Sequence, residues 1–344
     1  MTSLIQQTRD TTAQTLIPMA GMPRFPALDG WRAISILLVL SGHLFPLGPK
    51  RLELNESVAA LGMAIFFTLS GFLITTTLLY RPSISEFLTR RVCRIVPLAW
   101  IFTLVALTFA QVPVSYYLAQ LFFFSNVPPF WLTEYTGHLW SLCVEMQFYL
   151  AIAVIFSIFG RRGLWSIPLF CVAVTAHRIQ TQTLISIVTT VRVDEILSGG
   201  VLALACNTSH LPWIRKFLAW VNPFALLPLA LAASSPFGAA LDYGRPYFVA
   251  SMVGSTLFSS GRREKASLLE AKWLAYIAAI SYALYILHPI VGWGWFGSGS
   301  KLVKYAKRIP ELAAVFGLAH LSTFYFEDFW IRKGKKWSRR IAGN

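Results

Sequence analysis

Arg32 and His43 are eleven residues apart, separated by an almost wholly apolar run. Eleven helical steps of 100° overshoot three full turns by only about 20°, so the two side chains share a face about 16 Å apart along the axis. A charged group near mid-membrane costs about 2.5–3.5 kcal/mol on insertion scales and needs a reason to be there. Imidazole is the side chain most used in general acid–base catalysis, and guanidinium grips phosphates by forked hydrogen bonds. The structural alternatives are a snorkelling topology anchor for Arg32 and a hydrogen-bonded packing role for His43.

A second group begins at His138. His138, Ser141, Glu145 and Tyr149 recur at spacings of three and four, which places them on one helical face. Counting turns from the expected span boundaries puts Glu145 about 9 Å and His43 about 12 Å below the same boundary. An imidazole and a carboxylate are thus expected at similar depth, although Glu145 could equally pair with a polar neighbour for structural reasons. Arg192, Asp194 and Glu195 add three more charges in an apolar stretch, and Arg192 can meet Glu195 at i,i+3 as a structural salt bridge. Ser281, Tyr285 and His288 form a polar stripe that an aromatic belt or ordinary packing also explains. His320 reads as packing. The cluster Arg90-Arg91-Val-Cys-Arg94 serves as a topology signal or as a phosphate grip.

The elements that must carry these residues are membrane helices. Of 344 residues, 56% are hydrophobic and 13% charged, against roughly 25% charged in a soluble domain. The expected fold is all-α, a polytopic integral membrane bundle of about ten transmembrane helices. The spans are expected near 31–47, 58–80, 95–112, 139–159, 164–177, 184–206, 216–233, 245–260, 272–291 and 308–328. With the N-terminus inside, 20 lysines and arginines fall on the cytoplasmic side and 8 outside, Arg178 and Arg245 among the latter. Residues 1–30 then form a cytoplasmic tail rather than a signal peptide, 31–328 the membrane domain, and 329–344 a basic cytoplasmic tail. The segment 114–124 is too short to cross and is expected to be re-entrant or interfacial. The net charge of +15 lies between apolar runs, which argues against nucleic acid. The four cysteines show no metal-ligand spacing, and neither HExxH nor GxSxG occurs.

Several blocks then follow in a set order. Leu28-Asp-Gly-Trp-Arg32 leads into Leu38-Val-Leu-Ser-Gly-His43, and Phe66-Phe-Thr-Leu-Ser-Gly-Phe-Leu-Ile-Thr75 into Arg90-Arg-Val-Cys-Arg-Ile-Val-Pro97. After these stand Trp140-Ser-Leu-Cys-Val-Glu-Met-Gln-Phe-Tyr149, Ser281-Tyr-Ala-Leu-Tyr-Ile-Leu-His-Pro289 and Phe326-Glu-Asp-Phe-Trp330. Over about 25–332 the chain resembles the acyltransferase 3 family of membrane O-acyltransferases, matching its arginine-x10-histidine signature and, at Arg91 and Arg94, its arginine-x-x-arginine. It departs from the family where Met63-Ala64 and Met146 replace residues that are often acidic. The resemblance leads to the expectation of a protein without the extracytoplasmic esterase-like domain fused to some relatives.

The resemblance implies an O-acyltransferase of the cell (inner) membrane. An acetyl or other short acyl group would pass from cytoplasmic acyl-coenzyme A, a donor substrate rather than a bound cofactor, to a hydroxyl of an envelope carbohydrate or glycolipid. It implies Arg32, Arg91 and Arg94 on the donor phosphates and His43 as general base, with an acyl-histidine relay as the variant. Glu145 would orient the imidazole or stabilise its cation, and Tyr149 would donate to the developing oxyanion. No metal is called for. The rival class is a transporter or flippase using the same buried His, Glu and Arg as a substrate or proton path.

Overall fold

Prolines and small polar caps punctuate this chain. Pro26 opens α1 (Pro26–Leu44) in its first turn, where a missing N–H costs nothing. Ser83 caps α3 (Ile84–Ala110) by accepting from the Glu86 N–H, after α2 (Leu54–Tyr80) has ended. The computed structural model describes residues 25–207, 212–258, 268–293 and 298–342, and all regular structure among them is helical. The first 24 residues, with Arg9 and Arg24, lie outside the described residues, as do Arg262, Arg263, Lys265 and the last two residues.

Among the described residues, five helical stretches are long and apolar enough to cross a membrane: Leu54–Tyr80, Ile84–Ala110, Gly137–Gln180, Lys272–Gly292 and Leu302–Ile341. The chain is a multi-pass membrane protein, but several of the ten expected spans take another form. The segments 139–159 and 164–177 belong to one helical stretch, in which α5 (Trp140–Phe159) and α6 (Ile167–Gln180) are joined by a 3-10 segment. The expected span 184–206 is two helices, α7 (Thr189–Arg192) and α8 (Asp194–Asn207). Asp194 opens α8 and its carboxylate accepts from the Glu195 N–H, which favours a new helix start. The span 216–233 is the pair α9 (Pro212–Trp220) and α10 (Pro223–Ala232), bent by 92° where Pro223 and its cap Asn222 restart the helix. The segment 114–124 contains only α4 (Val114–Leu121), whose eight residues extend about 12 Å.

The chain divides into two compact units. The first comprises the chain up to Pro82, Phe159–Ser186 and Val193–Ser281. Here lipid-like surroundings give apolar helices little drive to associate, and small residues allow close backbone contact instead. A Cβ on Gly71 of α2 would lie 1.8 Å from the Ile196 carbonyl oxygen, and one on Gly199 of α8 would lie 1.9 Å from that of Thr68. The two helices therefore touch backbone to backbone. Around this contact Leu61, Phe72, Leu202 and Met252, the last from α11 (Arg245–Phe258), form a buried cluster. Trp31 of α1 joins it, its indole N–H donating to Thr256.

The second unit comprises Ser83–Ile158, Ile187–Arg192 and the chain from Tyr282 onward. It includes α3, α4, most of α5, the end of α12 (Lys272–Leu287) and α13 (Lys301–Leu321). A π-helical turn at Ser322–Glu327 leads into α14 (Asp328–Ala342). The segment expected as a basic tail is thus an ordered helix packed on α3. Arg90 donates to Ser338 across that contact, and a Cβ on Gly334 would come within 2.7 Å of the Cys93 side chain.

Candidate active site

In the first unit, α1 is one uninterrupted helix, so the shared face of Arg32 and His43 is realised. Arg32 is half-buried and His43 is exposed. The imidazole, expected to be buried, has an exposed side chain on the last turn of the helix. That turn is fixed by Asn55 of α2. Its side-chain amide donates to the Gly42 and Phe45 carbonyls, both at 2.6 Å, and its oxygen accepts from the Leu47 N–H at 3.3 Å. Orphan carbonyls at a helix C-terminus need such partners, and here they frame His43 on both sides. No periodicity within α2 marks Asn55, because its partners lie at the end of α1.

In the second unit, Glu145 and Tyr149 of α5 are both buried, and the Tyr149 hydroxyl donates to Glu145 Oε1 at 2.5 Å. The i,i+4 spacing predicted this neighbourhood, but the hydroxyl offered to an oxyanion is committed to a carboxylate. The Arg91 guanidinium lies 5.5 Å from the Tyr149 ring centroid and 5.9 Å from that of Phe87, two rings that meet edge to face. Arg94 interacts electrostatically with Glu145 and with Glu327, which lies in the block Phe326-Glu-Asp-Phe-Trp330. Glu327 Oε1 accepts from the Ser322 and Thr323 hydroxyls at 3.1 Å, so the π turn wraps its own carboxylate. Tyr282 feels the same two carboxylates and donates its hydroxyl to the Ile95 carbonyl at 2.5 Å. Half-buried Arg94 thus lies in the field of two carboxylates.

The other expected residues fall into place separately. His138 lies in a 3-10 turn, Gly137–Leu139, ahead of α5 rather than in phase with Ser141. The Tyr285 hydroxyl donates to the His138 carbonyl and shares a hydrogen bond with the Ser141 hydroxyl at 2.5 Å. His288 opens a 3-10 turn with Nδ1 2.7 Å from the Tyr285 carbonyl, and Ser281 Oγ donates within its helix to Ala278. Arg192 lies over the Trp140 ring at 5.5 Å, and His320 packs on Phe324 at 4.6 Å between centroids.

The largest departure concerns Arg178 and Arg245, expected in outer loops. Both are almost fully buried in the first unit. Arg178 bonds Asp194 at 2.5 Å and Asp242 at 2.6 Å, and Arg245 bonds Glu195 at 2.6 Å and Asp242 at 3.2 Å. Glu195 is held by Arg245 from α11. Among the described residues no three His, Cys, Asp or Glu side chains gather as metal ligands.

Comparison with known proteins bears on what this arrangement does. A family model described as an acyltransferase domain, that of acyltransferase 3, matches residues 25–327. The chain is 25% identical over 281 residues to nodulation protein 10 of Rhizobium leguminosarum bv. viciae, covering 70% of this chain and 75% of that one. It is 25% identical to the peptidoglycan O-acetyltransferase OatA of Listeria monocytogenes over 90% of this chain, but spans only 56% of that protein. The O-acetyltransferase OatA of Staphylococcus aureus is 33% identical over 152 residues, 37% of this chain and 24% of its own length. No solved structure matches. With the family model covering 25–327, and Arg32, His43, Arg91, Arg94, Glu145 and Tyr149 all within it, the chain belongs to the acyltransferase 3 family.

Proposed function

We propose that the protein transfers a short acyl group, such as acetyl, from cytoplasmic acyl-coenzyme A to a hydroxyl of an envelope carbohydrate or glycolipid. One observation carries this most directly: α1 is unbroken, with a guanidinium and an exposed, framed imidazole on one face about 16 Å apart. That separation suits a donor with an anionic head and an extended arm ending in a thioester. In the proposed step the acceptor hydroxyl gives its proton to His43 and its oxygen attacks the thioester carbonyl. The carbon–sulfur bond then breaks, and the proton passes to the departing thiolate. Products are the ester and free coenzyme A, so nothing else is consumed.

Arg32, Arg91 and Arg94 are proposed as donor-phosphate contacts, for which guanidinium forks are suited. Glu145 is proposed as the carboxylate that favours the protonated imidazole during the step. Tyr149, which donates to Glu145, is then a positioning residue rather than an oxyanion donor. The similarity to the Listeria peptidoglycan O-acetyltransferase supports a glycan acceptor. The excess of lysine and arginine on one side of the expected spans supports an inner-membrane protein with both termini in the cytoplasm, which requires an even number of crossings.

The test is mass spectrometry of envelope glycans from cells with the protein, without it, and with His43→Ala at equal membrane abundance. One ester should disappear in the last two. General-base loss typically costs about 10²–10⁴-fold in rate. Full acylation with His43→Ala would remove the imidazole from the mechanism.

A further inference from the structure

The second unit holds a train of rings that acyl transfer, as described, does not use. Phe102 and Phe109 stand seven residues apart on one face of α3, the first buried and the second 71% exposed. Trp293 meets both, with centroids at 5.6 and 6.2 Å, and meets Tyr135 edge to face at 5.1 Å. Phe102 meets His138 at 5.4 Å, and His138 in turn meets Tyr285 at 5.4 Å and His288 at 5.2 Å. Ser141, bonded to Tyr285, is one turn of α5 or about 6 Å from Glu145. The rings therefore lead from an exposed edge to within a turn of the buried carboxylate.

The loop that supplies Tyr135 is built to hold still. Gln120 donates to the Trp131 carbonyl and to Thr136 Oγ1, both at 2.8 Å. Asn126 donates to the Ile187 carbonyl and to Thr189, both at 2.9 Å, and Gln147 donates to Asn126 and to the Phe123 carbonyl. Ser125, Asn126 and Thr136 are fully buried. A loop fixed by buried side-chain amides presents its residues as a preformed surface. At its rim the exposed Glu134 carboxylate accepts from the Tyr135 hydroxyl.

Trp293 adds a polar feature that an interfacial anchor would not. Its Nε1–H is covered and has no hydrogen-bond partner among the described residues, whereas a tryptophan anchoring a membrane interface turns that group toward water or headgroups. Ring faces with an indole donor and a carboxylate acceptor are the chemistry that holds a sugar, C–H face against the rings and hydroxyls on the polar groups. We propose that this train is the acceptor subsite, taking a pyranose unit of a glycan strand against the rim formed by Phe109, Trp293 and Tyr135. The proposal deepens the acyl-transfer reading and rests on it.

The experiment uses the full chain in micelles with acetyl-coenzyme A and solubilised peptidoglycan glycan strands. Trp293→Ala should raise the acceptor KM about tenfold, the value of one aromatic contact, and leave the donor KM within about twofold. Trp293→Phe should fall between the two. Tyr135→Ala, at the rim, should show the same split and covers the case in which Trp293→Ala does not fold. Direct binding of the strands, read by saturation-transfer NMR, should weaken in the same variants and needs no turnover. If the wild type binds strands through Trp293 yet transfers no acetyl group, the acyl-transfer reading fails and the platform stands. If acceptor KM and strand binding are unchanged in both alanine variants, or the donor KM rises equally, the platform is wrong.

Discussion

At the residue scale, the buried pair on α5 makes a sharp demand. A hydrogen bond to a charged group is worth about 1.5–3 kcal/mol when its partner stays buried. Tyr149→Phe removes only the hydroxyl that Glu145 accepts, so kcat should fall at least about tenfold with little change in the donor KM. A donor KM that rises while kcat holds would mean that Tyr149 binds donor instead. Asn55 makes a parallel case in the other unit. Asn55→Leu strips the amide from the Gly42 and Phe45 carbonyls, and activity should drop without any change to His43 itself. Kinetics equal to wild type would show that His43 needs no such frame. Of these residues, Glu145 and Tyr149 were legible in the sequence because an i,i+4 relation lies within one helix. Asn55 and Glu327 were not, because each acts on a residue of another element and no periodicity reports that.

At the element scale, what was hidden is where helices stop. Hydropathy finds apolar length, and each of the five long stretches contains at least one expected span or most of one, although Gly137–Gln180 was divided into two. It treated 184–206 and 216–233 as single spans, although a helix start at Asp194 and another at Pro223 divide them. Charge position misled for the same reason. Arg178 and Arg245 sit at sequence boundaries that look like loops, yet they close a buried ion network with Asp194, Glu195 and Asp242. Removing one partner of a buried pair typically costs about 3–5 kcal/mol, because the remaining charge is left uncompensated. Arg178→Ala should therefore lower the melting temperature in detergent markedly, and an unchanged value would mean that the network adds no stability. The α2–α8 contact makes a steric prediction. Gly199→Ala places a methyl group 1.9 Å from the Thr68 carbonyl oxygen, and overpacking of this kind costs about 1–3 kcal/mol. Thermal unfolding of the variant at the wild-type temperature would contradict so close an approach.

At the scale of the whole molecule, composition was the strongest guide. A chain that is 56% hydrophobic and 13% charged had to be a membrane protein, and the ordered blocks from Leu28 to Trp330 pointed to the family whose model matches 25–327. The number of crossings was less legible, since short and broken helices count in the bundle without looking like spans. The central claim is that one framed imidazole on α1 activates a hydroxyl against an acyl thioester. The most direct measurement is transfer of labelled acetyl from acetyl-coenzyme A to solubilised glycan strands by the purified chain in micelles, wild type beside His43→Ala with equal folded protein. Ester should form in step with free coenzyme A in the wild type and fall at least about 10²-fold in the variant. Equal ester formation by both, or activity that appears only when two membrane-separated compartments are supplied, would contradict the account.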